Sequence, residues 1–82
     1  MTIHQLGMIA QHRRQFDEAE RWYRQSLEIS KRIGIEYGQA FILHQLGIVA
    51  QERSQFDEAE RWHRQSLEIK ERIGDELSLI HI

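Results

Sequence analysis

The sequence predicts an all-α fold, an α-solenoid of antiparallel helix-turn-helix pairs wound right-handed. Three observations carry that expectation. The chain repeats itself at a spacing of 40 residues, its apolar residues recur three and four apart, and it has no proline and only five glycines. Such a chain forms long helices with few breaks, stacked as successive hairpins. The repeat is close: residues 4–36 and 44–76 are identical at 25 of 33 aligned positions. Only duplication of one structural unit explains that agreement.

Four helices are expected, near 2–12, 16–33, 36–52 and 56–73. The first is the shortened counterpart of the third. The second opens on Asp17-Glu18 and ends before Gly34, acidic side chains suiting the unpaired N–H groups of a helix start and glycine suiting a left-handed cap. In the third, Ala40, Leu43, Leu46, Gly47 and Ala50 make one stripe. Arg53-Ser54-Gln55 forms the turn that follows. In the fourth, Ala59, Trp62, Ser66, Ile69 and Ile73 form the stripe, with Leu67 widening it. It opens on Asp57-Glu58 and is expected to close on Lys70, Arg72 and a cap at Gly74. Asp57 with Arg61, Glu60 with Arg64 and Glu68 with Arg72 are ion pairs four apart on the solvated face, each worth ~0.2–0.5 kcal/mol.

The units are therefore 1–36, a first repeat truncated at its start, 37–76, a second repeat, and a tail, 77–82. Agreement between the copies stops after Glu76, and the tail reads Leu77-Ser78-Leu79-Ile80-His81-Ile82. The same six residues result from translating CTG TCT CTT ATA CAC ATC, a transposase mosaic-end adaptor, so the tail is expected to be a non-native scar. The alternative is a divergent start to a third helix pair. On the first reading the chain is a fragment of a longer array. One helix pair cannot cover its own apolar face, and Phe16, Trp22, Phe56 and Trp62 need a neighbouring hairpin to pack against.

Composition narrows the function. Eighty-two residues make at most one small domain, burying about 60–65% of the unfolded surface. An apolar fraction of 40% and a charged fraction of 29% are those of a folded chain. The net charge of −2 comes from interspersed signs without a basic patch, which speaks against a nucleic-acid partner. No apolar run approaches the ~20 residues of a membrane span, and no leader-like segment opens the chain. The absence of cysteine removes disulfides and thiolate metal sites and fits a reducing compartment, so a cytoplasmic location is expected.

Chemistry finds little support. Among the five histidines, His4 and His44 hold equivalent places and His12 lies two turns beyond His4, but no helix carries two histidines four apart, as metal sites often do. His63 replaces Tyr23 and reads as a packing residue, and His81 belongs to the tail. The Asp-Glu-Ala-Glu runs at 17–20 and 57–60 read as helix starts rather than paired catalytic carboxylates. No Ser/His/Asp set and no glycine-rich phosphate loop is present. No catalytic residue, cofactor or metal is expected.

The order Leu46-Gly47, Ala50, Phe56, Ala59, His63, Ser66 resembles the tetratricopeptide repeat, with Leu43 as its first large position. Ile3, Leu6, Gly7, Ala10, Phe16, Ala19, Tyr23 and Ser26 match it in the first copy. The 40-residue period and the Ser-Leu-Glu-Ile endings are similar to the longer-helix subclass of kinesin light chains and bacterial signalling proteins. The resemblance spans 3–76, with departures: Arg14 and Ser54 stand where glycine often sits, Ala10 and Ala50 replace an aromatic, and the closing proline is missing. It implies close helix approach at Gly7 and Gly47, and tight crossings at Ala19 and Ala59.

The resemblance further implies a protein-interaction scaffold, not an enzyme, that binds a peptide or helix in a concave groove. Carried over position by position, the groove residues are His4, Met8, Gln11, His12, His44, Ile48, Gln51 and Glu52. The basic and asparagine set that clamps a C-terminal carboxylate in chaperone-binding members is missing, so no such ligand is expected. Two other roles are open: self-association through the uncapped ends, end to end or swapped, and service as the sensor arm of a larger signalling ATPase or enzyme.

Overall fold

The computed structural model describes the backbone of residues 1–80 and the side chains through Gly74. Four helices follow one another: α1 (Ile3–His12), α2 (Phe16–Ile33), α3 (Glu36–Glu52) and α4 (Phe56–Ile80). No strand occurs among the described residues. α1 packs on α2, α2 on α3 and α3 on α4, in the order of the chain. This is the all-α arrangement of helix pairs that the repeat predicts.

Each helix end has a local cause. Thr2 caps α1 in a capping box: its side chain accepts from the Gln5 N–H at 3.1 Å, and its own N–H donates to Gln5 Oε1 at 2.9 Å. The two intra-repeat turns are the same turn used twice. Gln15 N–H donates to the Ala10 carbonyl at 2.9 Å, and Gln55 N–H to the Ala50 carbonyl at 2.8 Å. Arg14 and Ser54 take the left-handed conformation there, with φ of 59° and 60°, where glycine has no steric penalty but these residues do.

Gly34 ends α2 in the left-handed region at φ 74°, and the Ile35 N–H reaches back to the Ser30 carbonyl at 3.0 Å. That six-to-one bond is the signature of a Schellman cap, which an apolar residue after the glycine completes. A Cβ on Gly38 would sit 3.2 Å from Ile35 Cγ2, so the Ile35 side chain lies over the first turn of α3 while staying 50% exposed.

The second copy does not repeat this ending. α4 runs through Gly74 to Ile80, and Gly74 is helical rather than a cap. Position 75 is aspartate where position 35 is isoleucine, so the apolar residue that closes the first cap is lacking in the second. Residues 77–80 thus extend α4 and do not open a new helix; 81 and 82 lie outside the described residues.

The core is one cluster. Ala10, Ala19, Tyr23, Leu27, Ile42, Leu43, Leu46 and Val49 are buried together, with Phe16, Trp22, Trp62 and Ile69 packed at its margin. α3 is buried on two sides. Its stripe through Ala40, Leu43, Leu46, Gly47 and Ala50 faces α4, where the Ser66 hydroxyl donates to the Ala40 carbonyl at 2.7 Å. Ile42 and Val49, on the other side of the helix, close against α2. The expected closeness at glycine is present: a Cβ on Gly7 would stand 2.8 Å from the Tyr23 ring, and one on Gly47 2.5 Å from the His63 ring.

One expectation fails for want of a covering hairpin. Leu67 does not join the buried stripe; it is 54% exposed, whereas its counterpart Leu27 is 6% exposed beneath α3. Phe56 is exposed as well, while Phe16 is half-buried. α2 has a hairpin lying on its outer side and α4 has none among the described residues. The charged pairs also differ. Glu60–Arg64 forms at 2.6 Å, as does the equivalent Glu20–Arg24 at 3.2 Å. Asp57–Arg61 and Glu68–Arg72 do not, and Arg72 instead reaches across to Glu36 at 3.3 Å.

Candidate functional site on the α1 and α3 face

Seven of the eight groove candidates make local contacts along α1 and α3, which lie side by side across α2. Two contacts tie them. The His4 ring lies 4.9 Å from the Phe41 ring, and Gln11 Nε2 donates to Glu52 Oε1 at 3.3 Å. Met8, Gln11, His12 and Glu52 line a single shallow depression, joined there by Arg14 and Gln45. His44 and Gln51 meet around His63, the first ring to ring at 5.1 Å and the second accepting at Oε1 from His63 Nε2 over 2.9 Å. His4 is half-buried between Phe41 and Tyr23, whose ring is 5.9 Å away. Ile48, the eighth, is half-buried and belongs to neither group.

The floor of the face is supplied by the second helix of each pair. The Tyr23 hydroxyl donates to Gln11 Oε1 at 2.8 Å, and this orients the Gln11 amide so that its NH2 reaches Glu52. Burial, with the nearby Glu52 carboxylate adding to it, pushes the Tyr23 phenol up to about 12. It is therefore a fixed neutral donor at any ordinary pH. His44 is shifted the other way. Burial first, then the positive charges of Lys70 and His63, hold its imidazolium below the usual histidine range.

Arg14, Gln45 and Phe41 were not among the candidates. Phe41 was legible, three residues before His44 on the same helix side. Arg14 was not, since only the left-handed turn brings it beside α1 and α3. The resulting surface offers a thioether, amides, an imidazole, one carboxylate and one guanidinium. It can grip backbone amides and short apolar or charged side chains. Among the described residues no three His, Asp or Glu side chains gather as a metal would need, and no helix is long and apolar enough to cross a membrane.

Helix pairs stacked in register, each with a small residue under an aromatic or imidazole ring, define a helical repeat protein of the interaction-scaffold class. The family model of the tetratricopeptide repeat matches residues 1–72, and the chain belongs to that family. Repeats of this family mediate protein–protein interaction and are not themselves enzymes. No curated protein and no solved structure matches the chain.

Proposed function

We propose that this chain binds a partner protein by holding an extended segment or a helix of it along the α1 and α3 face. One observation carries the reading: Met8, Gln11, His12 and Glu52 share a depression with Arg14 and Gln45, backed by the buried Tyr23 that fixes the Gln11 amide. A rigid floor with mixed side chains at the rim is what groove recognition uses, a few residues supplying most of the specificity. The pairing of one carboxylate with one guanidinium favours a ligand that carries both signs of charge or none.

Selection of a random displayed-peptide library on the full chain tests this. Peptides enriched on the native protein lose binding to a Met8→Ala, Glu52→Ala double variant and keep it on Arg61→Ala, a change on α4. Peptides that bind all three proteins equally would overturn the assignment of the face.

A further inference from the structure

We propose that the outer face of α4 takes the outer face of α1 from a second copy of this chain, head to tail, so that copies stack as the repeats do. The junction between the two repeats within one chain serves as the template. Arg53, at the end of α3, pairs with Asp17 at 2.8 Å and Glu20 at 3.4 Å on α2. Arg24 on α2 reaches Glu58 at 3.6 Å and lies 5.0 Å from the Trp62 ring on α4. Beneath these, Leu27 from α2 and Val49 from α3 close the apolar contact, 6% and 2% exposed.

The charged halves of that junction exist again, unpaired across repeats, at the two ends of the molecule. Counting forty residues forward, α4 presents Asp57, Glu60, Arg64 and Leu67 where α2 presents Asp17, Glu20, Arg24 and Leu27. Counting forty back, the first repeat presents Arg13, Glu18 and Trp22 where the second presents Arg53, Glu58 and Trp62. The residue types are identical at all seven positions. Ile9 replaces Val49, an apolar exchange, and is 36% exposed. Thr2 stands for Ile42, and residues 36–40 of α3 have no counterpart in the shorter α1.

An α4 end laid on an α1 end therefore meets Arg13 with Asp57 and Glu60, Arg64 with Glu18 and Trp22, and Ile9 with Leu67. An α4-on-α4 contact instead leaves Arg13 and Ile9 without the partners that the template gives Arg53 and Val49. The exposed ion pairs supply register more than affinity, which comes from the apolar contact. A contact of this kind leaves both ends free to repeat it, so assembly stays open rather than closing as a two-fold dimer.

Sedimentation of the 82-residue chain over a range of concentrations, with Ile9→Glu and Leu67→Glu variants, tests the proposal. Both positions are exposed, and far-ultraviolet circular dichroism checks that each variant keeps its helix content. The native chain gives a mass that climbs past dimer with concentration. Each variant alone stays monomeric, because one of its two complementary ends is blocked. Mixed, the two variants form a one-to-one dimer and stop there. A native chain that stays monomeric throughout overturns the proposal. So does self-association of either variant alone, which marks a symmetric or swapped contact, and so does a mixture that remains monomeric.

Discussion

The Tyr23 hydroxyl donates to the Gln11 side chain at 2.8 Å, and forty residues later His63 Nε2 and Gln51 keep the same bond at 2.9 Å. The aromatic phenol and the imidazole differ in size, yet both span the gap from the second helix of a pair to the last turn of the first. Both rings also stand where a side chain on Gly7 or Gly47 would have to go. The polar bond and the small residue are one device, holding each pair together at its face.

Alanine at the two glycines separates them. A Cβ at Gly47 would approach His63 more closely, at 2.5 Å, than one at Gly7 approaches Tyr23, at 2.8 Å. The larger penalty nevertheless falls on Gly7→Ala. Tyr23 is wholly buried and cannot swing aside, whereas half-buried His63 can. Overpacking at Gly7 costs about 1–3 kcal/mol, of which helix propensity returns up to ~1 kcal/mol. Gly47→Ala comes out near neutral in chemical denaturation, and Gly7→Ala clearly below the native chain.

Glycine in the turns stabilises. Ser54 and Arg14 hold left-handed conformations at φ 60° and 59°. Relief of that strain is worth roughly 1 kcal/mol per site before the entropy of a freer unfolded chain is subtracted. Ser54→Gly raises the Tm by a few degrees in a thermal melt. Arg14→Gly gains less, since the Arg14 guanidinium lies 5.1 Å from the Phe16 ring and that contact is given up.

Leu27→Ala and Leu67→Ala are the same change in the same local sequence, and the burial of the two differs ninefold by exposure, 6% against 54%. The first empties a packed site and costs roughly 2–4 kcal/mol. The second stays within about 0.5 kcal/mol at low protein concentration. Equal losses from urea unfolding would contradict the buried α2–α3 junction.

Acid weakens the fold through His44. Its folded value lies below the ordinary 6.5, so between the two values the unfolded chain binds more protons than the folded one. The stability this group leaves intact is fully present above 6.5 and drains as pH falls through the folded value. His44→Gln removes the titration. Tm measured from about pH 7.5 down to about pH 5 falls less steeply in the variant than in the native chain. The groups facing His44 include Lys70 and His63, and both oppose its protonation.

Much of this was legible in the residues. The duplication fixes four helices to within a residue or so at seven of eight ends, because a period of 3.6 and a glycine or a turn mark each boundary. The eighth was misread: Gly74 looks like Gly34, but the cap also depends on the apolar neighbour that Asp75 replaces. Leu67 and Leu27 sit in identical sequence, so only the presence of a covering hairpin tells them apart. The candidates' phase on α1 and α3 can be read along each helix. Their division into a depression around Gln11 and a histidine pair around His63 cannot, because that depends on the register between helices rather than along them.

α2 and α3 each have a helix on both flanks, and together they make the keel of the molecule. Most of the packing runs between successive helices, so opening spreads inward from the outer helices and reaches the α2–α3 junction last. Amide exchange is then fast in α1, which packs chiefly on α2, and slowest around Leu43 and Leu46. An insult to α3 dissolves both pairs at once, whereas one to α1 costs only the first.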